Sequence, residues 1–193
     1  MHRRIGSGSP LMLVHGYLGG QFMWQFQEPL QDDFELIMPS LAGYGESAHL
    51  EAPSSIPGNV DDICRLLDSL EIEKVDLLGH SMGGMIVQEM AANRPDRINR
   101  LICLGTGSMG VLPNRFEPIE ESRRKILNLG LEQARENIAR TWFLNPDLEA
   151  GLSLCQSEGA KATKQAALAS LEAWEHWDGR EQLSQIMAPT LVI

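Results

Sequence analysis

Gly79-His80-Ser81-Met82-Gly83 fits the pattern G-x-S-x-G. A serine hydroxyl is a weak nucleophile at neutral pH. It needs a neighbouring base, and it needs N–H donors for the oxyanion formed when it attacks a carbonyl. The spacing here serves that chemistry. Glycines two residues to either side leave room for a sharp turn whose strained backbone larger side chains would crowd. A helix starting directly behind the serine presents unpaired N–H groups and the positive end of its dipole. The bland alternative is a chance glycine-rich turn between a strand and a helix. The apolar run before the motif, the helical pattern after it and the additional Gly84 favour the nucleophile. Two further turns stand out: Val14-His15-Gly16-Tyr17, and PSLAGYGES from Pro39 to Ser47, where Gly43 and Gly45 suit a tight loop near the site.

These turns need rigid elements to hold them. Short apolar runs at residues 11–14 (LMLV), 34–38 (FELIM), 74–78 (KVDLL), 100–104 (RLICL) and 189–193 (PTLVI) read as buried strands. Helical patterns lie between them. Residues 23–30 carry Trp24. Residues 59–70 place Val60, Ile63, Leu66, Leu67 and Leu70 on one face, and residues 83–93 are closed by Arg94-Pro95. This alternation is the mark of a doubly wound, mostly parallel sheet with crossover helices, an α/β fold. Residues 111–181 differ. They are helical in pattern, interrupted by Gly130, Pro146, Gly151 and Gly159, and they show no convincing strand. The expected organisation is therefore a core over residues 1–110, a helical insertion over 111–181, and a return to the core over 182–193.

Composition narrows the partners. The chain has 193 residues, 43% hydrophobic and 22% charged, which suits one globular unit. A formal net charge of −10 disfavours nucleic acid and anionic membranes. The three cysteines, Cys64, Cys103 and Cys155, are widely spaced and suggest neither a metal site nor a disulfide framework. The N-terminal MHRRIGSGSP lacks a secretory pattern, so a cytoplasmic location is the default expectation. The oligomeric state stays open.

Taken together, LVHGYLGG, PSLAGYGES and GHSMGG, in this order and at these distances, resemble the α/β-hydrolase superfamily. The resemblance extends over essentially the whole chain, including WDGR at 177–180 and APTLVI at its end. It implies a hydrolase whose nucleophile is Ser81 and whose oxyanion hole is the backbone N–H of Tyr17 and of Met82, with Leu18 in place of Tyr17 if the turn is shifted by one. His15 would brace its loop by hydrogen bonding. Ser40 stands where the family commonly has Asp, a structural position. A serine at the elbow, rather than an aspartate, argues against dehalogenase and epoxide hydrolase chemistry. Carboxylic ester, lactone, thioester and carbon–carbon bonds all remain as targets, and no cofactor or metal is implied. The alternatives are a non-catalytic binding protein of the same fold and an inactive fragment.

The family also implies a triad in the order Ser, Asp, His. The acid and the base are expected beyond Ile193, which makes this chain resemble a partial sequence lacking a C-terminal segment and an N-terminal hairpin, poor as a catalyst alone. GTGSMG, after the strand at 100–104, offers no carboxylate. Of the remaining histidines, His2 is terminal, His49 lies in a polar loop, His80 is expected to point away from the elbow, and His176 sits in the insertion. The insertion is expected to be a cap over an apolar pocket. Trp142, Trp174 and Trp177 are the candidate substrate-binding residues, with Phe143 and Leu144 beside them, and Met82, Met85 and Met109 as further lining or core. Arg123, Arg124 and Lys125 read as a solvated helix face opposite Glu117, Glu120 and Glu121. The substrate class is a small acyl compound.

Overall fold

The computed structural model describes residues 1–113, 117–146 and 150–193. Six strands form one sheet in the order β1-β3-β2-β4-β5-β6. They are β1 (His2–Ile5), β2 (Ser9–Val14), β3 (Phe34–Pro39), β4 (Val75–His80), β5 (Ile98–Leu104) and β6 (Thr190–Val192). All neighbours are parallel except β1, which runs antiparallel to β3. The α/β class is as read from the sequence, and the five expected strands differ only at their ends. β1 is an addition. Its four residues, His-Arg-Arg-Ile, carry no apolar alternation, and its place comes from pairing with β3 at the sheet edge.

The central strands are apolar throughout because both faces of the sheet are covered. Leu11, Leu13, Leu36, Met38 and Leu78 pack with Trp24 on one face. Met12, Val14, Ile37 and Leu77 pack on the other, with Val60, Ile63 and Leu67 of α1 (Ile56–Ser69) and with Ile86 and Met90 of α2 (Met82–Asn93). Ser55 starts α1 by accepting from the Gly58 N–H at 3.1 Å, with Pro57 in the first turn. Residues 23–30, expected as a helix, lie within a run of 3-10 turns, Gln21–Asp32. Pro29 sits inside it and removes a donor that an α-helical ladder would require.

Between β5 and β6 come α3 (Ile119–Leu129), α4 (Leu131–Arg140), α5 (Ala150–Gly159) and α6 (Lys164–Glu175). The segment leaves and rejoins the core at a neck. Met109 and Asp178 form an antiparallel bridge, Gly110 N–H donates to Trp177 at 2.9 Å, and Gly179 N–H donates to Ser108 at 2.9 Å. Ile119, Ile126, Ile138, Ala166 and Leu171 belong to the same apolar cluster as the strands, so the helices share the core's interior. No helix among the described residues is long and apolar enough to cross a membrane.

Candidate active site

Ser81 stands between the last residue of β4 and the first of α2. Its φ of 54° and ψ of −120° place it in a region that side chains rarely occupy. Such strain costs on the order of 1–3 kcal/mol and persists only when its surroundings fix it. Here they do. The Ser81 N–H donates to the Leu104 carbonyl at 3.1 Å. The Ser81 carbonyl accepts from Gly84 N–H at 2.9 Å, from Met85 N–H at 3.3 Å and from the Thr106 hydroxyl at 2.7 Å. The glycines after the serine allow the close approach of other segments of the chain. A Cβ on Gly83 would stand 2.2 Å from the Val14 carbonyl oxygen, and one on Gly84 would meet the Thr106 side chain at 2.5 Å.

The Val14–Tyr17 turn, at the end of β2, lies against this elbow. A Cβ on Gly16 would be 3.0 Å from the Ser81 Cβ. Tyr17 is buried, with its ring edge-on to Trp174 at 4.8 Å. Met82, as the first residue of α2, has a backbone N–H with no acceptor one turn earlier in its helix. Leu18, the residue after Tyr17, has a positive φ of 54°. His15 is fully enclosed. Its Nε2 accepts from the Leu41 N–H at 3.0 Å, so Nδ1 carries the proton and donates to the Gly16 carbonyl at 2.8 Å. Burial pushes its pKa down to about 4, and the Gly16 bond offsets this only in part. His15 is thus a neutral brace between the HG turn and the loop at Leu41.

Two cavities meet at Ser81 and share Tyr17, Gly105 and Trp142. One, of about 630 Å³, is lined by Met82, Met85, Ile138 and Trp174; the other, of about 510 Å³, by His15, Trp24, His80 and Phe143. The structure therefore brings Tyr17, Met82, Trp142 and Trp174 together with Ser81. Trp177 it does not. That ring is buried against α2, where its indole N–H donates to Glu89 at 2.8 Å, and it lines a separate crevice with Gln88 and Ala92. The structure thus places Trp177 away from the two cavities at Ser81. Leu144 is 97% exposed, and Met109 sits in the neck. Arg123 pairs with Glu120 and Glu175, Arg124 with Glu121, and Lys125 with Glu117.

His80 differs from its expectation. It keeps the two-residue alternation of β4 on the face of Leu78 and Trp24, and its ring lies between Gly16 and Gly105, lining the smaller cavity. Burial lowers its pKa. Thr106 was missed by sequence reasoning. Its partner is a backbone carbonyl 25 residues away, which no side-chain pattern announces. The sole cue was a hydroxyl directly after β5. Among the described residues, no side-chain base is hydrogen-bonded to the Ser81 hydroxyl.

Comparison with known proteins agrees with this architecture. Residues 9–141 match the family model of the alpha/beta hydrolase fold. The protein of Azorhizobium caulinodans named "Putative carbamate hydrolase RutD" is 30% identical over 197 residues, spanning 97% of this chain and 72% of that protein. The 2-hydroxymuconate semialdehyde hydrolase of Pseudomonas sp. (strain CF600) is 35% identical over 112 residues, covering 54% of this chain and 38% of its own length. A hydrolase from Pseudomonas aeruginosa PA01 superposes with a TM-score of 0.89 at 26% identity, over 99% of this chain and 74% of that one. The chain belongs to the α/β-hydrolase family.

Proposed function

We propose that Ser81 is the nucleophile of a hydrolase that cleaves a carboxylic ester or a related acyl bond through an acyl-enzyme. The observation that carries this reading is the strained, fully braced Ser81 at the meeting point of two cavities, with Met82 and Tyr17 beside it. Ser81 Oγ attacks the substrate carbonyl carbon and gives its proton to a base. The carbonyl oxygen becomes an oxyanion held by the N–H groups of Met82 and Tyr17. The tetrahedral intermediate collapses, the leaving group takes the proton, and water releases the acyl group by the same steps. The α3–α6 segment serves as a cap, with Trp142 and Trp174 forming apolar wall against the acyl group. The required base and its orienting acid are not placed at Ser81 by the described residues. On this reading the 193-residue chain alone turns over poorly.

Intact-mass spectra before and after a fluorophosphonate probe test the assignment, made on the protein as its source produces it. One adduct is expected, mapped to Ser81 and abolished in Ser81→Ala, together with a loss of esterase turnover of about 10³-fold or more. An unlabelled, folded protein would leave a binding role for the fold. A panel of aryl ester, lactone and carbamate substrates then separates the acyl classes.

A further inference from the structure

α5 ends in Glu158 and Gly159, and both press on the turn that leads away from Tyr17. Glu158 is 2% exposed. Its Oε2 accepts from the Phe22 N–H at 3.3 Å, and it would stand 2.3 Å from a Cβ on Gly20. Gly159 is close enough to the Leu18 carbonyl that a Cβ there would lie 3.3 Å from that oxygen. Gly20, at the start of the 3-10 run, has no side chain with which to cap the first N–H groups. Glu158 supplies the missing acceptor from 136 residues away. Its other oxygen is held by Lys161 Nζ at 2.6 Å, and Lys161 in turn lies 4.7 Å above the Phe22 ring. A buried carboxylate is costly unless paired and hydrogen-bonded, so this one is anchored at both oxygens.

The Gly16–Gly20 stretch needs such an anchor. It is rich in glycine and contains the left-handed Leu18, and among the described residues its backbone bonds are Gly19 N–H to the Gly16 carbonyl at 3.1 Å and, at its far end, Met23 N–H to the Gly20 carbonyl at 3.1 Å, with His15 Nδ1 also on the Gly16 carbonyl. We infer that Glu158 is a positioning residue, which holds the Gly16–Phe22 turn so that the Tyr17 N–H faces the oxyanion. The inference rests on the oxyanion role proposed for Tyr17. It also has a consequence for the α3–α6 segment. Phe143 and Cys155, in the same segment as Glu158, line the cavity beside Ser81. A substrate seated there contacts the element that fixes the turn, so a well-fitting acyl group and a formed oxyanion site reinforce each other.

The test uses Glu158→Ala, Glu158→Gln and Lys161→Met in the protein as its source produces it. Turnover of an aryl ester is divided by the concentration of sites titrated with fluorophosphonate, which removes any loss through misfolding. Glu158→Ala is expected to lower kcat per site by about 10- to 100-fold with little change in KM, the loss typical of a displaced oxyanion donor. Glu158→Gln keeps an acceptor for Phe22 and is expected to restore most of the rate. Hydrogen exchange of peptides covering residues 16–22 is expected to rise in Glu158→Ala while peptides covering 82–93 stay unchanged. Unchanged kcat per site, or unchanged exchange in residues 16–22, would overturn the inference. If the unmutated protein takes no probe, the hydrolase reading fails; faster exchange in Glu158→Ala would then retain the clamp as a structural contact, without its catalytic meaning.

Discussion

Ser81 illustrates how one residue can be placed against its own preference. Its backbone is strained, and the surrounding bonds to Leu104, Gly84, Met85 and Thr106 hold it there. Thr106 is the one side chain among these partners. Thr106→Val keeps the shape and removes the donor, so urea denaturation should show a loss of about 1–2 kcal/mol, and Thr106→Ser should retain most of it. The glycine after Met82 is a sharper test. Any Cβ on Gly83 collides with backbone oxygens of both Val14 and His15, which cannot rotate aside. Gly83→Ala should cost about 3 kcal/mol in the same experiment, and an unchanged denaturation midpoint would refute the close approach. The glycine spacing was legible in the sequence because steric demand leaves a residue-type signature. The hydroxyl brace was not, since its acceptor is a main-chain atom that any residue carries.

Among elements, α6 is tied to the core by hydrogen bonds at its N-terminal half. Thr163 caps it by accepting from the Ala166 N–H at 3.1 Å, and the Thr163 N–H donates to the Gly43 carbonyl at 3.0 Å. The Tyr44 hydroxyl lies 2.6 Å from the Ser170 hydroxyl and donates to the Ala166 carbonyl at 3.2 Å. Tyr44→Phe should therefore cost about 1 kcal/mol and raise hydrogen exchange in α6 more than in α2. The tight loop at Gly43 and Gly45 was expected near the site, but its service as the anchor of α6 depends on contacts across more than 120 residues, such as Tyr44 to Ala166 at a separation of 122. Local pattern succeeded for α1 and α2, whose apolar positions recur at helical spacing. It failed for Gln21–Asp32, where a single Pro29 changes the type of turn, and for β1, where pairing with β3 outweighs composition.

At the scale of the whole molecule, acid should weaken the fold through its buried imidazoles. The pKa of His15 is about 4 in the folded chain, against the ordinary 6.5, because burial disfavours the cation. Between those values the unfolded chain binds more protons, so stability rises with pH across the window and falls on acidification. The change from pH 7 to pH 4 is about 3 kcal/mol from this residue, and His80, also lowered by burial, acts in the same direction. Urea midpoints measured from pH 7 to pH 4 should decline accordingly. His15→Gln, which keeps an acceptor for Leu41, should be less stable at pH 7 yet show a shallower decline. An equal slope in both proteins would mean that His15 is not the titrating group.

The sequence by itself determined the α/β class, the five apolar strands, the elbow at Ser81 and the HG turn. Each of these rests on a local rule: two-residue or 3.6-residue periodicity, or the steric freedom that only glycine has. The tertiary structure alone decided which side chains face the serine. Trp142 and Trp174 reach its cavities while Trp177, from the same aromatic set, turns to Glu89; His80 lines the smaller cavity; and Thr106 and Glu158 brace turns that are remote in the chain. The reason is that these contacts join residues 25 to 136 positions apart, and direction across such distances is set by how the helices pack on the sheet, which no short window of sequence encodes.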